Sequence, residues 1–169
     1  MDIDTIYARR SIRKFQDRPV EKEKLETLLK AAMAAPSARN GKPWEFVVVT
    51  QPEGMKKVRS VMIFGRYNAP AAIIVCGNTS FFKRPLSTDF WVQDCSAATE
   101  NILLAAVELG LGTVWLGVHP IHNFSKQISK VFGLPKTVLP LNVIYVGYPH
   151  EKKPPRTQFD PARVHWEVY

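Results

Sequence analysis

The stretch that decides the fold is residues 90–117, FWVQDCSAATENILLAAVELGLGTVWLG. Its first twenty residues contain neither proline nor glycine, and from Asn101 onward apolar side chains occupy nearly every side of the predicted helix. Gly110 and Gly112 predict the end of that helix, and residues 113–118 predict a buried strand. A helix that is apolar all round belongs at the centre of a structure, because any other place would expose apolar side chains to water.

Regular elements are predicted on both sides of this stretch. Residues 20–35 carry apolar side chains at helical spacing and are followed by Pro36, so they predict an amphipathic helix. Residues 51–60 predict only one or two helical turns, and residues 125–132 predict a short helix. Three further strands are predicted at residues 44–50, 71–77 and 139–147.

The composition sets the class of protein. The chain has 169 residues, of which 46% are hydrophobic and 22% are charged, which is typical of a globular protein and predicts a single domain over residues 1–169. The longest uninterrupted apolar run, residues 102–107, is far shorter than the roughly 18 residues of a membrane helix. The sequence opens with acidic residues and without an apolar signal region, so we expect a cytoplasmic protein that does not bind membranes.

The charge distribution and the histidine pattern argue against a nucleic-acid-binding protein and against a metal-binding one. The formal net charge is +8, but the basic residues are spread along the chain, so we expect binding to phosphate of some kind and not to nucleic acid. Cys76 and Cys95 lie in apolar surroundings without a paired spacing, which predicts buried free thiols. His119 and His122 have no cysteine or carboxylate close in sequence, so we expect a surface loop there and no metal site.

Three segments carry residues suited to ligand binding. Residues 9–15, RRSIRKF, place four cations within six residues, and these repel one another unless an anion lies among them. Residues 35–44, APSARNGKPW, form a loop of the kind that presents donors to a planar ligand. Residues 110–117 contain glycines that allow close backbone approach but lack the GxGxxG spacing of a dinucleotide site. For the first two segments, a solvated basic surface and an ordinary turn are the simpler alternatives.

Taken in this order, the three segments resemble the nitroreductase family of flavoproteins, and the resemblance extends over residues 3–166. It includes the helix, loop and strand of residues 20–49 and the ending GYPHEKKPPRTQFDPARVHWE. The resemblance implies an α+β fold, a three-layer α/β/α sandwich with a mostly antiparallel sheet. It also implies an obligate homodimer with two FMN sites at its interface, in which the tail of residues 148–169 docks on the partner subunit.

The resemblance also assigns site residues. Those that would hold the flavin phosphate, ribityl chain and pyrimidine edge are Arg9, Arg10, Ser11 and Arg13. Those that would contact FMN from the partner subunit are Pro36, Ser37, Ala38 and Asn40. Those that would pass along the flavin ring are Trp115, Leu116 and Gly117. Those that would return to the phosphate are Arg156 and Lys153. Lys42 stands where the family commonly has glutamine, which would place a cation near the flavin pyrimidine and favour the anionic reduced form.

The implied activity is that of an FMN-dependent oxidoreductase. It would pass a hydride from NAD(P)H through FMN to an organic acceptor, such as a nitroaromatic or a quinone, by a ping-pong mechanism. No catalytic side chain is expected, because the cofactor performs the hydride transfer while the protein supplies position and shielding. Two alternatives are a flavin-binding or flavin-converting relative without NAD(P)H-driven turnover, and a basic nucleic-acid-binding module. The short stretch between Thr50 and Ala71 indicates an acceptor pocket that is open or differently walled from that of larger members.

Overall fold

The computed structural model describes residues 2–81 and 90–169. The helices described are α1 (Ile3–Ala8), α2 (Lys22–Met33), α3 (Pro52–Val61), α4 (Trp91–Glu108) and α5 (His122–Phe132). The strands described are β1 (Trp44–Val49), β2 (Ala71–Asn78), β3 (Gly112–Gly117) and β4 (Val138–Gly147). The four predicted strands are therefore confirmed, with ends that differ from prediction by one residue.

The strands form one sheet in the order β1-β2-β4-β3, in which every neighbouring pair is antiparallel. Both central strands, β2 and β4, are buried along nearly their whole length. Successive side chains of a strand point to opposite faces. In β2, Ile73 and Val75 enter one core while Ile74 and Cys76 enter the other. This is why the strand is a continuous apolar run without alternation.

Helices cover both faces of the sheet. The first core lies between the sheet and the pair α2 and α4, and the second lies between the sheet and the pair α3 and α5. The predicted α+β fold, a three-layer α/β/α sandwich with an antiparallel sheet, is confirmed. None of the helices in the described residues combines the length and apolarity needed to cross a bilayer.

Helix α4 differs from the expectation that it is enclosed on every side. A stripe that includes Trp91, Cys95, Ile102 and Ala106 is buried in the first core. The opposite side is only half-buried in the single chain, although it is also apolar: Val92, Ala97, Leu104, Ala105 and Val107. The helix ends as predicted at Gly110, whose φ of 69° lies in the left-handed region that glycine favours.

Two helices are longer than predicted. Helix α3 has ten residues rather than one or two turns, because Met55, Val58 and Val61 are buried in the second core and stabilise a segment with a weak sequence pattern. Helix α5 begins at His122, three residues before the predicted start, and its N-cap residue makes no side-chain hydrogen bond that could have marked it. His122 therefore lies on a helix and not in the surface loop that contains His119.

Both cysteines are free and buried, as predicted. Burial raises the pKa of the Cys76 thiol and that of the Cys95 thiol to about 12, so both stay protonated at neutral pH. The Cys95 thiol donates to the carbonyl oxygen of Cys76 at 3.4 Å. These thiols are part of the first and second cores and not of an exposed reactive site.

Candidate functional site

The N-terminal basic segment lies along the outer edge of β3. Ser11 forms a parallel bridge with Thr113, and the amide of Ile12 donates to the Thr113 carbonyl at 2.8 Å. This approach requires Gly112, because a Cβ atom there would lie 2.9 Å from three atoms of the Ile12 side chain. The close approach predicted from the glycines is therefore made to the chain's own N-terminal segment.

The C-terminal tail returns to the same edge. The Lys153 ammonium donates to the Ser11 carbonyl at 2.6 Å, and the Arg10 guanidinium donates to the Pro154 carbonyl. The amide of Arg156 donates to the Tyr7 carbonyl at 3.1 Å. The structure thus brings together predicted site residues from the two ends of the chain. We call these residues the basic cluster: Arg9, Arg10, Ser11, Arg13, Lys153 and Arg156.

Two carboxylates accompany the five cations of the basic cluster. Glu151 accepts from the Arg13 amide at 2.6 Å and lies 3.3 Å from the Lys153 ammonium, and the bond from Arg13 is the largest of the effects that lower its pKa below the ordinary value. Glu100 lies 3.6 Å from Arg9. Within the described residues no ion pair involves Arg10, Arg13 or Arg156. An excess of positive charge therefore remains, and it favours an anionic ligand.

A cleft of about 200 Å³ opens at the basic cluster. Arg10, Glu151 and Lys153 supply its polar walls, while Ile12 and Leu111 are among its apolar ones. Cationic and apolar walls side by side suit a ligand that has both a charged end and an apolar body.

The loop of residues 36–42 is built differently. Arg39, Asn40 and Lys42 have φ values of 53°, 56° and 45°, in the left-handed region that non-glycine residues rarely occupy. The Ala38 amide donates to Oδ1 of Asp94 in α4 at 2.8 Å, and the Lys42 amide donates to the Ser37 hydroxyl at 3.0 Å. A cleft of about 360 Å³ lies between this loop and the first turns of α4. The loop therefore holds a fixed and uncommon backbone shape.

The predicted site residues fall into separate groups within one chain. The loop of residues 36–42 leads into β1, and the basic cluster lies along β3, at the other edge of the sheet. Three strand spacings separate these edges, roughly 14 Å. Trp115 and Leu116 lie half-buried in β3, and Gly117 at its end is exposed, with open space where a Cβ would be. These β3 residues lie on the same edge strand as the basic cluster.

Two residues of the site were not predicted. Glu151 orders the basic cluster, and Asp94 holds the loop of residues 36–42. The available signal for Asp94 was its helical spacing with Trp91 and Ala98, which puts a carboxylate on the buried face of α4, whereas Glu100 and Glu108 of the same helix are exposed. Glu151 gives no comparable signal, because it lies in a tail of alternating charges. In the ranges 2–81 and 90–169, no three histidine, cysteine or acidic side chains are grouped as a metal site requires.

Comparison with known proteins places the chain in a family. The model of the nitroreductase family matches residues 6–63 and 64–148. A protein of Methanothermobacter thermautotrophicus, named as a proposed NADH dehydrogenase/NAD(P)H nitroreductase, is 48% identical over 172 residues, covering 100% of this chain and 88% of the relative.

Solved structures agree with this result. A crystal structure from Parabacteroides distasonis, of a proposed NADH dehydrogenase/NAD(P)H nitroreductase, has a TM-score of 0.92 and 41% identity over 99% of this chain and 98% of its own. An FMN-dependent nitroreductase from Clostridium difficile has a TM-score of 0.87 and 32% identity over 99% of this chain and 100% of its own. The resemblance seen in the three sequence segments is thereby confirmed, and the chain belongs to the nitroreductase family.

Proposed function

We propose that this protein is an FMN-dependent oxidoreductase that passes a hydride from NAD(P)H through bound FMN to an organic acceptor such as a nitroaromatic or a quinone. The observation that carries the proposal is the basic cluster, in which both ends of the chain supply more cations than the neighbouring carboxylates can neutralise. The names of two similar proteins support it further. The relative from Methanothermobacter thermautotrophicus is named for NAD(P)H, and the protein from Clostridium difficile is named for FMN.

The residues present fit FMN. A terminal phosphate carries close to two negative charges, and guanidinium groups bind such oxygens through paired hydrogen bonds. Arg9, Arg10 and Arg13, with Lys153 and Arg156, would hold the phosphate and the polar edge of the flavin. The absence of a GxGxxG fingerprint from the sequence favours FMN over a dinucleotide such as FAD. When bound, FMN supplies the hydride chemistry, and the chain supplies position, charge and exclusion of water.

A second copy of the chain completes the site in this proposal. The loop that would contact FMN, with Pro36, Ser37, Ala38 and Asn40, lies at the sheet edge away from the basic cluster of its own chain. The half-buried apolar side of α4 is a surface that a partner can cover. We therefore propose an obligate homodimer in which each FMN lies between the basic cluster of one subunit and the loop of the other.

The tail supports the same assembly. From Pro154 to Tyr169 every residue is exposed, and Phe159 and Trp166 are 75% and 82% exposed. Beyond Arg156 the described residues show no hydrogen bond from the tail to the rest of the chain. Burial of large aromatic side chains stabilises a protein or an assembly. We therefore propose that the tail, residues 148–169, docks on the partner subunit.

Lys42 is the departure from the family pattern that bears on redox properties. Its side chain is exposed, and its backbone is fixed by the bond to Ser37. In the proposed dimer its ammonium lies near the pyrimidine edge of the partner's flavin, where a cation favours the reduced anion over the neutral oxidised form.

The test uses the purified protein. We expect a yellow protein, or one that takes up added FMN, and heat should release FMN rather than FAD. Anaerobic NADH or NADPH should bleach the flavin absorbance, and a quinone or nitroaromatic should restore it. Initial-rate plots should be parallel, since nucleotide and acceptor would occupy the same space in turn. A colourless protein that ignores FMN contradicts the proposal, and a flavin that no nucleotide bleaches favours the flavin-binding alternative.

A further inference from the structure

Asp94 is an acid in the first core, a place where acids are rare. It lies in the first turn of α4 and is only 4% exposed. Its neighbours Trp91 and Cys95 on the same helix are buried as well. Its Oδ2 atom is fully buried and has no hydrogen-bond partner among residues 2–81 and 90–169. A buried carboxylate with an unpaired oxygen destabilises a core, so stability alone does not account for an acid at this position.

The other oxygen of Asp94 is directed at the loop of residues 36–42. Oδ1 accepts the amide of Ala38 at 2.8 Å across 56 residues of sequence. The loop's remaining described hydrogen bonds are internal to it: the Asn40 amide donates to the Ser37 carbonyl, the Gly41 amide to the Ala38 carbonyl, and the Lys42 amide to the Ser37 hydroxyl. Among the described residues, Asp94 is thus the side chain outside the loop that holds it by a hydrogen bond.

The loop needs such a tether. Three of its residues hold left-handed backbone conformations, which persist only where surrounding contacts impose them. Asp94 does not cap its own helix, because the carboxylate accepts from the loop and not from an amide of the first helical turn.

We propose that Asp94 is a positioning residue that holds the loop of residues 36–42 in its binding shape before the cofactor arrives. The inference rests on the proposed function, because the loop must contact flavin for its shape to matter. A pre-ordered loop loses less conformational entropy on binding, so the tether strengthens FMN binding without touching FMN.

The experiment compares three variants with the wild-type protein. Asp94→Ala removes the acceptor. Ala38→Pro removes the donor and leaves Asp94 in place; it suits this position, since Ser37 is extended and residue 38 opens a short 3₁₀ helix. Thr99→Val is the matched control, because Thr99 is buried in the same helix and hydrogen-bonded to Asn142, but makes no described contact with the loop. Amide hydrogen exchange of residues 39–42 without FMN, the Kd for FMN, and kcat at saturating FMN are measured.

We expect Asp94→Ala and Ala38→Pro to speed exchange of the loop amides about tenfold or more and to weaken FMN binding roughly 10- to 100-fold. Saturating FMN should restore kcat in Asp94→Ala, and Thr99→Val should change Kd less than about twofold even where it lowers the melting temperature. If Asp94→Ala does not fold, loop exchange in Ala38→Pro carries the test, because exchange is measured without FMN and is independent of any contact between residue 38 and the cofactor.

Three results overturn the inference. They are unchanged loop exchange in the variants, faster exchange with an unchanged Kd, and a Thr99→Val variant that weakens FMN binding as much as Asp94→Ala. A wild-type protein that binds no FMN overturns the proposed function itself, and the inference with it, whatever the exchange data show. The exchange measurement thus separates a missing tether from a missing cofactor site.

Discussion

In the proposed function, the basic cluster and the loop of residues 36–42 contact one cofactor, yet they are built by opposite means. The cluster joins two chain ends more than 140 residues apart, and it would attract a ligand by its charge. The loop is one short segment whose value lies in a fixed backbone shape, held by Asp94. The comparison teaches that charge and shape are supplied by different parts of the chain, so each can be changed without the other.

The largest effect is expected from breaking the assembly of the cluster. Gly112→Ala places a Cβ 2.9 Å from the Ile12 side chain, which must move the N-terminal segment away from β3. We expect a loss of about 1–3 kcal/mol in the free energy of unfolding, and FMN binding weaker than in any single-cation variant. Denaturant unfolding and FMN titration measure both effects. The double variant Ile12→Ala/Gly112→Ala makes room for the new methyl group and should recover part of each; no recovery would contradict the steric explanation.

The charge of the cluster is tested without disturbing its assembly. Arg13→Ala should weaken FMN binding by about 1.5–3 kcal/mol, the usual range for a hydrogen bond to a charged group, and excess FMN should restore activity. Lys126→Ala, which removes an exposed cation from α5, is the control and should leave the Kd unchanged. A variant of Arg13 that binds FMN normally but has lost turnover would instead place Arg13 in the chemistry.

How much of this could be predicted from sequence differs between the two regions. The strands and the ends of α4 follow from apolar runs and glycines within a few residues, and the members of the basic cluster near the N-terminus form a dense local motif. The bond from Lys153 to Ser11 and the tether from Asp94 to Ala38 join residues far apart in sequence. No local pattern predicts such contacts, because they depend on how the elements pack. The length of α3 was missed for the same reason, since burial and not local propensity stabilises it.

A smaller effect is expected from the charge carried by the loop. Lys42→Gln removes an exposed cation near the proposed flavin position and keeps a side chain of similar length. We expect the flavin midpoint potential to fall by roughly 4–20 mV, the equivalent of the about 0.2–1 kcal/mol typical of an exposed charge pair. Lys57→Gln, on the surface of α3, is the control. An unchanged potential in Lys42→Gln would show that the ammonium does not act on the flavin.

The smallest effect concerns Glu151, one of the two carboxylates that accompany the basic cluster. The bond from the Arg13 amide lowers the pKa of Glu151 below its ordinary 4.5, so its contribution to stability is present above that value and is lost as the pH falls through the lower folded-state pKa. Glu151→Gln should lower the melting temperature by roughly 2 °C at pH 7. Below pH 4.5 the melting temperatures of variant and wild type should converge. A constant difference across this range would mean that ionisation of Glu151 does not matter.

Subunit mixing tests most directly the claim that one FMN lies between the cluster of one chain and the loop of another. Arg13→Ala protein, with an intact loop, is unfolded and refolded together with Ala38→Pro protein, with an intact cluster. Random pairing makes half of the dimers mixed, and each mixed dimer has one intact site, so about a quarter of all sites should bind FMN tightly at a concentration where neither variant alone does. Restored tight binding at that fraction is the result we predict. A mixture that binds no more FMN than the separate variants would contradict a shared site.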